Sequence, residues 1–272
     1  ISLGALPGIC GELIEADPGW RAMVREVGTA RTQAFQLWLT KSLTESGYPG
    51  PSPLMTTYER PIENWADFSQ TLAAENHDSP EPKQVAYFCG PLSNHPPAPA
   101  PYTSYDFPAQ MKERAFGEMR TFVQKHLRHL LPGVCPQGGL DYAYLHAPAG
   151  QTGEQRLRAQ YYGANVNPSD LYVLSLPGTT SRRLRSEESG FNNLALAGDW
   201  TFNGLNVGCV EAAVMSGMRA AQAILGRPLG IAREAHLDGM ALADGTSMHD
   251  AWLAARAAAQ FDELDEEEVA RG

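Results

Sequence analysis

Residues 194–212 read LALAGDWTFNGLNVGCVEA, an apolar run that stops at Gly198-Asp199 and restarts as a helical pattern. The run 194–197, bounded by Asn192-Asn193 and Gly198, suits a short strand buried on both faces, as in a parallel sheet. Gly204 and Gly208 then lead into apolar residues at Val210, Val214, Gly217, Ala221, Ile224 and Leu225, which is helical spacing. Gly226 and Pro228 stop that helix in the expected order. The unit is therefore strand, glycine loop, helix. It aims the free N–H groups of a first helical turn, and partial positive charge, at whatever sits over the loop. An anion suits that place. Asp199 would repel a phosphate unless its carboxylate accepts hydrogen bonds from hydroxyls, so a ligand that is both anion and polyol fits better. The same residues also read as a capped turn that glycines merely tighten.

Outward from this stretch, 272 residues suffice for a substantial core in one large or two ordinary domains. Hydrophobic content is 43% and charged content 19%, as in globular chains. No run approaches the roughly 18 consecutive apolar residues of a membrane span. A net charge of −10 without a basic stripe argues against nucleic acid. Cys10, Cys89, Cys135 and Cys209 are far apart and match no CxxC spacing, which points to a reduced, cytoplasmic setting. The chain opens on Ile1 in apolar sequence, the look of a piece cut from something longer.

Elements upstream are read from pattern. Residues 1–10 suit a strand end and turn punctuated by Pro7-Gly8, and WRAMVREVG (20–28) suits a helix. TQAFQLWL (32–39) alternates as a sheet strand, GYPGPSP (47–53) is a loop, IENWADFSQTLAAEN (62–76) reads as an amphipathic helix, and QVAYFCG (84–90) as a buried strand. NHPPAPAPY (94–102) is an extended connection. The longest helical stretch is 108–133, ended by Pro132-Gly133. It carries His126 and His129 at a metal-capable spacing, but no carboxylate or Cys completes a motif, so a solvated face is expected and no metal is assigned. LYVLSLPG (171–178) reads as strand and turn, and the alanine-rich tail ending DELDEEEV as a helix with an acidic end.

With its flanks, the opening stretch extends to LYVLSLPGTTSRRLRSEESGFNNLALAGDWTFNGLNVGCVEAAVMSGMRAAQAIL (171–225). It resembles the C-terminal signature of the FAD-dependent amine oxidase and phytoene (carotenoid) desaturase superfamily, in LAGDWT and then GCVEAAVMSGMRAA. Weaker resemblance runs through ISLGALPG (1–8) and TARTQAFQLWL (29–39). The resemblance implies an α/β fold, the C-terminal part of a two-domain FAD oxidoreductase. Its substrate domain combines a mixed sheet and helices, and the last strand and helix of a Rossmann-like FAD domain follow. Implied boundaries are a connection at 1–15, a substrate domain at 16–165, the FAD-binding segment at 166–230 and an acidic tail at 231–272. The implied cofactor contacts are Gly198, Asp199, Trp200, Asn206, Val207, Gly208, Cys209 and Val210. Asp199 would accept hydroxyl hydrogen bonds near the ribityl and pyrophosphate, and 206–210 would lie along the isoalloxazine with the Val210 amide near the pyrimidine carbonyl. A helix start there stabilises negative charge as hydride arrives.

Two departures shape the functional expectation. Monoamine oxidases place an aromatic residue of their amine cage where this chain has Cys209, which leaves desaturation or another C–H dehydrogenation on equal footing with amine oxidation. The family's N-terminal βαβ unit with GxGxxG is also absent from these 272 residues, since GALPGICG lacks a preceding strand. A companion chain carrying that half is expected, acting with this one on a small organic molecule. No catalytic acid or base is assigned, because hydride transfer depends mainly on holding carbon against the flavin. Trp38, Tyr58, Trp65, Tyr87 and Phe88 are available to substrate or core, while Arg182, Arg183 and Arg185 suit a solvated loop paired with Glu187 and Glu188, with a carboxylate or the FAD phosphates as the alternative partner. Two alternatives stand beside this: a non-catalytic scaffold subunit of a flavoprotein complex, and an acyl-transfer enzyme using Cys209 as nucleophile with His146 as base.

Overall fold

A computed structural model describes residues 1–77, 80–93, 99, 103–227 and 229–231. The chain divides into two compact units, one formed by 30–167 and the other by 1–29 together with the chain from 168 onward. The expected linker at 94–102, apart from residue 99, and the tail beyond residue 231 lie outside the described residues.

The unit 30–167 is built on a five-stranded antiparallel sheet. Its strands are β2 (Thr32–Leu39), β3 (Leu54–Thr56), β4 (Asn64–Asp67), β5 (Gln84–Pro91) and β6 (Tyr161–Asn165), in the order β3-β4-β5-β2-β6; β1 (Thr29–Ala30) lies elsewhere, paired with β7 (Tyr172–Val173). The period-two alternation of β2 buries Gln33, Phe35, Leu37 and Leu39 on one face. Helix α4 (Phe107–Lys125) presents Phe116, Met119, Phe122 and Val123 to the same core, at the spacing of one helical stripe. Phe88 stacks on Phe35 at 4.9 Å and lies 5.2 Å from Phe122, and Trp65 stacks on Phe88 at 6.2 Å. Each such side chain contributes about 1.5–3 kcal/mol on burial.

Two expectations in this unit change. Residues 62–76 are not one helix: β4 occupies Asn64–Asp67 and a 3₁₀ turn follows at Ser69–Ala74. Ile62, Trp65, Phe68 and Leu72 recur at helical intervals, but the open edge of β5 takes up the backbone hydrogen bonds, setting Trp65 opposite Phe88 with its indole in the core. The helix expected over 108–133 ends at Lys125, and 3₁₀ turns at Leu127–His129 and Pro132–Val134 fold Leu127, Leu131 and Val134 into the core instead. The strand read at 84–90 and the one at 32–39 both form.

In the other unit, the chain start is helical rather than extended. A 3₁₀ turn at Leu3–Ala5 leads into α1 (Leu6–Ile9) and α2 (Gly11–Ala16). Pro7 lies in the first turn of α1, where no N–H is needed, so the residue that reads as a turn marker starts a helix. Helix α3 (Pro18–Glu26) is capped by Asp17, whose carboxylate accepts the Trp20 N–H at 3.1 Å. Trp20, Met23 and Val27 join Leu3, Leu6, Val173, Leu184, Leu196 and Trp200 in this unit's core.

Two further corrections fall here. The strand of 171–178 shortens to Tyr172–Val173 in β7. Residues 194–197 have no ladder partner among the described residues, and Leu196 alone of the four is fully buried. A parallel strand exists only beside neighbours, and these residues have none in the described chain. The helix read downstream does form, as α6 (Val210–Leu225), and Gly226 ends it in the left-handed conformation, φ +61°.

Candidate functional site

Between Leu196 and the start of α6 the chain makes a bend and a loop, and side chains fix almost every step. Gly198 has φ +153°, and a Cβ there would stand 2.3 Å from Nε1 of Trp200, whose indole folds back over it. The Gly198 N–H donates to Ser216 Oγ at 2.8 Å, which ties the bend to the buried side of α6, and the Thr201 hydroxyl donates to the Gly198 carbonyl at 2.9 Å. The buried amide of Asn203 accepts the N–H groups of Leu205 and Asn206 at 2.9 and 3.0 Å and donates to the Thr201 carbonyl. Asn206 returns the contact by accepting the Asn203 N–H at 3.1 Å, and holds φ +51°, a conformation asparagine tolerates. The Ser175 hydroxyl donates to the Asn206 carbonyl and the Tyr172 hydroxyl to the Gly208 carbonyl. Tyr172 packs so closely on Gly208 that a Cβ there would meet its ring at 2.6 Å.

The loop delivers the chain to α6 with Cys209 as N-cap. Its sulfur accepts the Ala212 N–H at 3.4 Å, and its carbonyl takes the first helical hydrogen bond from Ala213. Val210, 75% exposed, opens the helix, and Cys209 takes the N–H groups of Ala212 and Ala213, leaving those of Val210 and Glu211 at the helix start.

Asp199 stands in the bend, half-buried. Its carboxylate accepts hydrogen bonds from its own N–H and that of Trp200, while burial pushes its pKa above the usual carboxylate range against the opposing field of Arg183. Arg183 is 0% exposed. Its Nη1 donates to the Asp199 carbonyl at 2.7 Å and its Nη2 to the Leu174 carbonyl at 3.0 Å. The solvated arginine loop expected at 182–185 is thus corrected: Arg185 is also buried, 4.6 Å from the Phe202 ring, and only Arg185 meets a glutamate of its own loop, Glu188. Arg182 pairs with Glu26, and Glu187 with Arg219.

The other unit sorts the aromatic residues. Trp65 and Phe88 are core, and Tyr58 is 87% exposed. Tyr87 and Trp38 lie on the sheet face opposite α4, with Gln36, Cys89 and Tyr161 on the same side by register. Phe68 stacks on Tyr87 at 5.1 Å, and Trp38 Nε1 donates to Glu75 at 2.7 Å. His126 caps α4 and meets Glu59 at 3.2 Å, with the exposed His129 beside it on a 310 Å³ pocket. Among the described residues no group of three His, Cys, Asp or Glu could hold a metal ion. His146 rests its Nδ1 on the Pro80 carbonyl.

The structure brings Gly198, Asp199 and Trp200 together in the bend and 206–210 in the loop before α6. Of the residues that hold them, Arg183 is named by the sequence reading only within a solvated loop or as a phosphate or carboxylate partner, and Ser216, Tyr172, Ser175 and Asn203 are not singled out. The Asn-x-x-Asn pair at 203 and 206 is the one local signal that could have found the loop. The rest depend on contacts between positions far apart in the chain.

The chain is thus mixed α/β, with a glycine bend and a cross-braced loop leading into a helix start. The family model of flavin containing amine oxidoreductases matches residues 26–225, and the chain belongs to that family. It is similar to the crystal structure of an oxidoreductase from Methanosarcina mazei, at 15% identity and a TM-score of 0.44, over 81% of this chain and 41% of that one. The chain thus spans less than half the length of that protein. No curated protein matches it. No helix among the described residues is long and apolar enough to cross a membrane.

Proposed function

We propose that this chain is the C-terminal part of an FAD-dependent oxidoreductase that dehydrogenates a C–H or C–N bond of a small organic molecule. The observation that carries the proposal is the braced loop ending at the open first turn of α6. A half-buried Asp199 carboxylate suits ribityl hydroxyls, and the N–H groups at the start of α6 that Cys209 does not take suit an electron-rich ring edge, while Gly198 and Gly208 let Trp200 and Tyr172 close on the backbone. These features fit a flavin. When bound, it supplies the hydride acceptor. Gly198, Asp199 and Trp200 would line the ribityl side, and Asn206, Val207, Gly208, Cys209 and Val210 the ring.

The GxGxxG half of the cofactor site belongs, on this reading, to a companion chain. Exposed apolar residues on α6 support it: Val214 is 55% and Ile224 75% exposed, with Gly217 and Ala221 between them, so one stripe of the helix lacks a partner among the described residues. Cys209 as a nucleophile is disfavoured by its engagement as the helix cap. The test is an absorption spectrum of the purified assembly with mass spectrometry of every component. Bound oxidised flavin, released as FAD and bleached by substrate, is the expected result. An intact assembly that neither carries nor takes up flavin would overturn the proposal and leave a scaffold subunit.

A further inference from the structure

The cofactor bend is held by a charge that has no conventional partner. Arg183 is fully enclosed, yet none of the ion pairs among the described residues includes it, and its Nε has no hydrogen-bond acceptor. Burying an unpaired cation costs several kcal/mol, and two carbonyls and the Ser175 hydroxyl, at 3.3 Å from Nη2, recover only part of that. A neutral residue could brace two carbonyls at lower cost. What the positive charge adds is a field, and the acidic side chain it acts on is Asp199, whose own carbonyl it grips.

We propose that Arg183 is the positioning residue of the cofactor bend: it clamps the carbonyls of Leu174 and Asp199, and its buried charge is the counter-charge against which the Asp199 carboxylate stands ready to accept hydroxyl hydrogen bonds. The cofactor part of this rests on the flavin reading above. The geometry is one-sided in a useful way. The guanidinium takes the backbone oxygen of Asp199 rather than its carboxylate, so the carboxylate oxygens are not consumed by a salt bridge and remain available to a ligand. The groups that bear on Asp199 are Arg183 and the N–H groups of Asp199 and Trp200; Tyr172 acts on Arg183 from β7. Lowering the charge at position 183 removes the largest influence opposing burial, and the carboxyl then holds its proton to higher pH.

The experiment titrates the Asp199 carboxyl carbon by NMR in the full chain, comparing wild type with Arg183→Lys and Arg183→Gln. Lysine keeps the charge and should leave the midpoint near the wild-type one. Glutamine should raise it by about one pH unit or more, the size of effect a neighbouring guanidinium exerts on a carboxylate. An unchanged midpoint in Arg183→Gln overturns the proposal. Where Arg183→Gln does not fold, Arg183→Gln/Asp199→Asn decides: recovery of folding on removing both charges supports the pairing, and no recovery reduces Arg183 to a structural brace. FAD affinity of the assembled protein, measured between about pH 5.5 and 8.5, supplies the second readout. Arg183→Gln should lose at least tenfold more affinity at the acid end than at the alkaline end, whereas equal loss at every pH overturns the cofactor part. Absence of FAD binding by the wild-type assembly sinks the flavin reading alone, since the carboxyl titration still decides what Arg183 does.

Discussion

Gly198 shows how a single residue holds a site. Its φ of +153° and the indole of Trp200 lying where a side chain would begin leave room only for hydrogen. Gly198→Ala is expected to cost about 1–3 kcal/mol of stability, read by urea unfolding, and to displace Trp200, read by its fluorescence. Asp199 carries a cost of another kind. Because burial raises its pKa, the folded chain keeps its proton at pH values where the unfolded chain has released it. Stability therefore falls as pH rises from the unfolded pKa through the folded one, and stays lower above. Asp199→Asn removes that fall. The variant should be more stable than wild type near pH 7 and equal to it near pH 3, while binding flavin worse, an exchange of function for stability. A variant that is no more stable at neutral pH would refute this account. The bend at Gly198 and Asp199 is legible in the sequence because glycine and a following acid are local turn signals. The place of Arg183 is not, since its burial is decided by elements around it that local patterning does not describe.

Among elements, α6 repays the closest reading. Its spacing, start and stop were all visible in the residues, including Gly226 at the C-terminal end. Which face turns inward was not. The stripe of Val210, Val214 and Ile224 looks outward, and the smaller Ala212, Ser216 and Ala220, with Met215, pack inward, because Ser216 must reach the Gly198 N–H. Val214→Glu should leave the unfolding free energy of the chain within about 0.5 kcal/mol but weaken capture of the companion half at least tenfold, measured by titration calorimetry. Equal affinity would remove α6 from the interface. At the other end, Cys209→Ser keeps a capping acceptor and should preserve stability and turnover, whereas Cys209→Val should cost about 1 kcal/mol. Loss of turnover in the serine variant without loss of bound flavin would instead favour thiol chemistry. Residues 62–76 teach the reverse lesson: their helical periodicity was real, and a free strand edge outcompeted it.

For the molecule as a whole, the decisive feature is the division into two units, each with a core drawn from its own residues. All of the Phe35–Phe88–Phe122 core lies within 30–167, and Thr32 pairs with Asn165, so the two ends of that unit emerge side by side. A 30–167 fragment should therefore fold alone with one cooperative urea transition, monitored by near-UV circular dichroism; a broad, non-cooperative transition would show that its core is incomplete. By itself the sequence determined the family, the glycine bend, the helix after it and the strands at β2 and β5, since each is written in neighbouring residues through turn chemistry and hydrophobic period. Tertiary structure alone decided that 194–197 join no sheet among the described residues, that Trp65 lies in a strand, that one stripe of α6 is left uncovered by those residues and that an arginine is sealed beneath the bend. Those outcomes depend on which distant surfaces compete for the same backbone bonds and the same apolar area, and no local pattern encodes that competition.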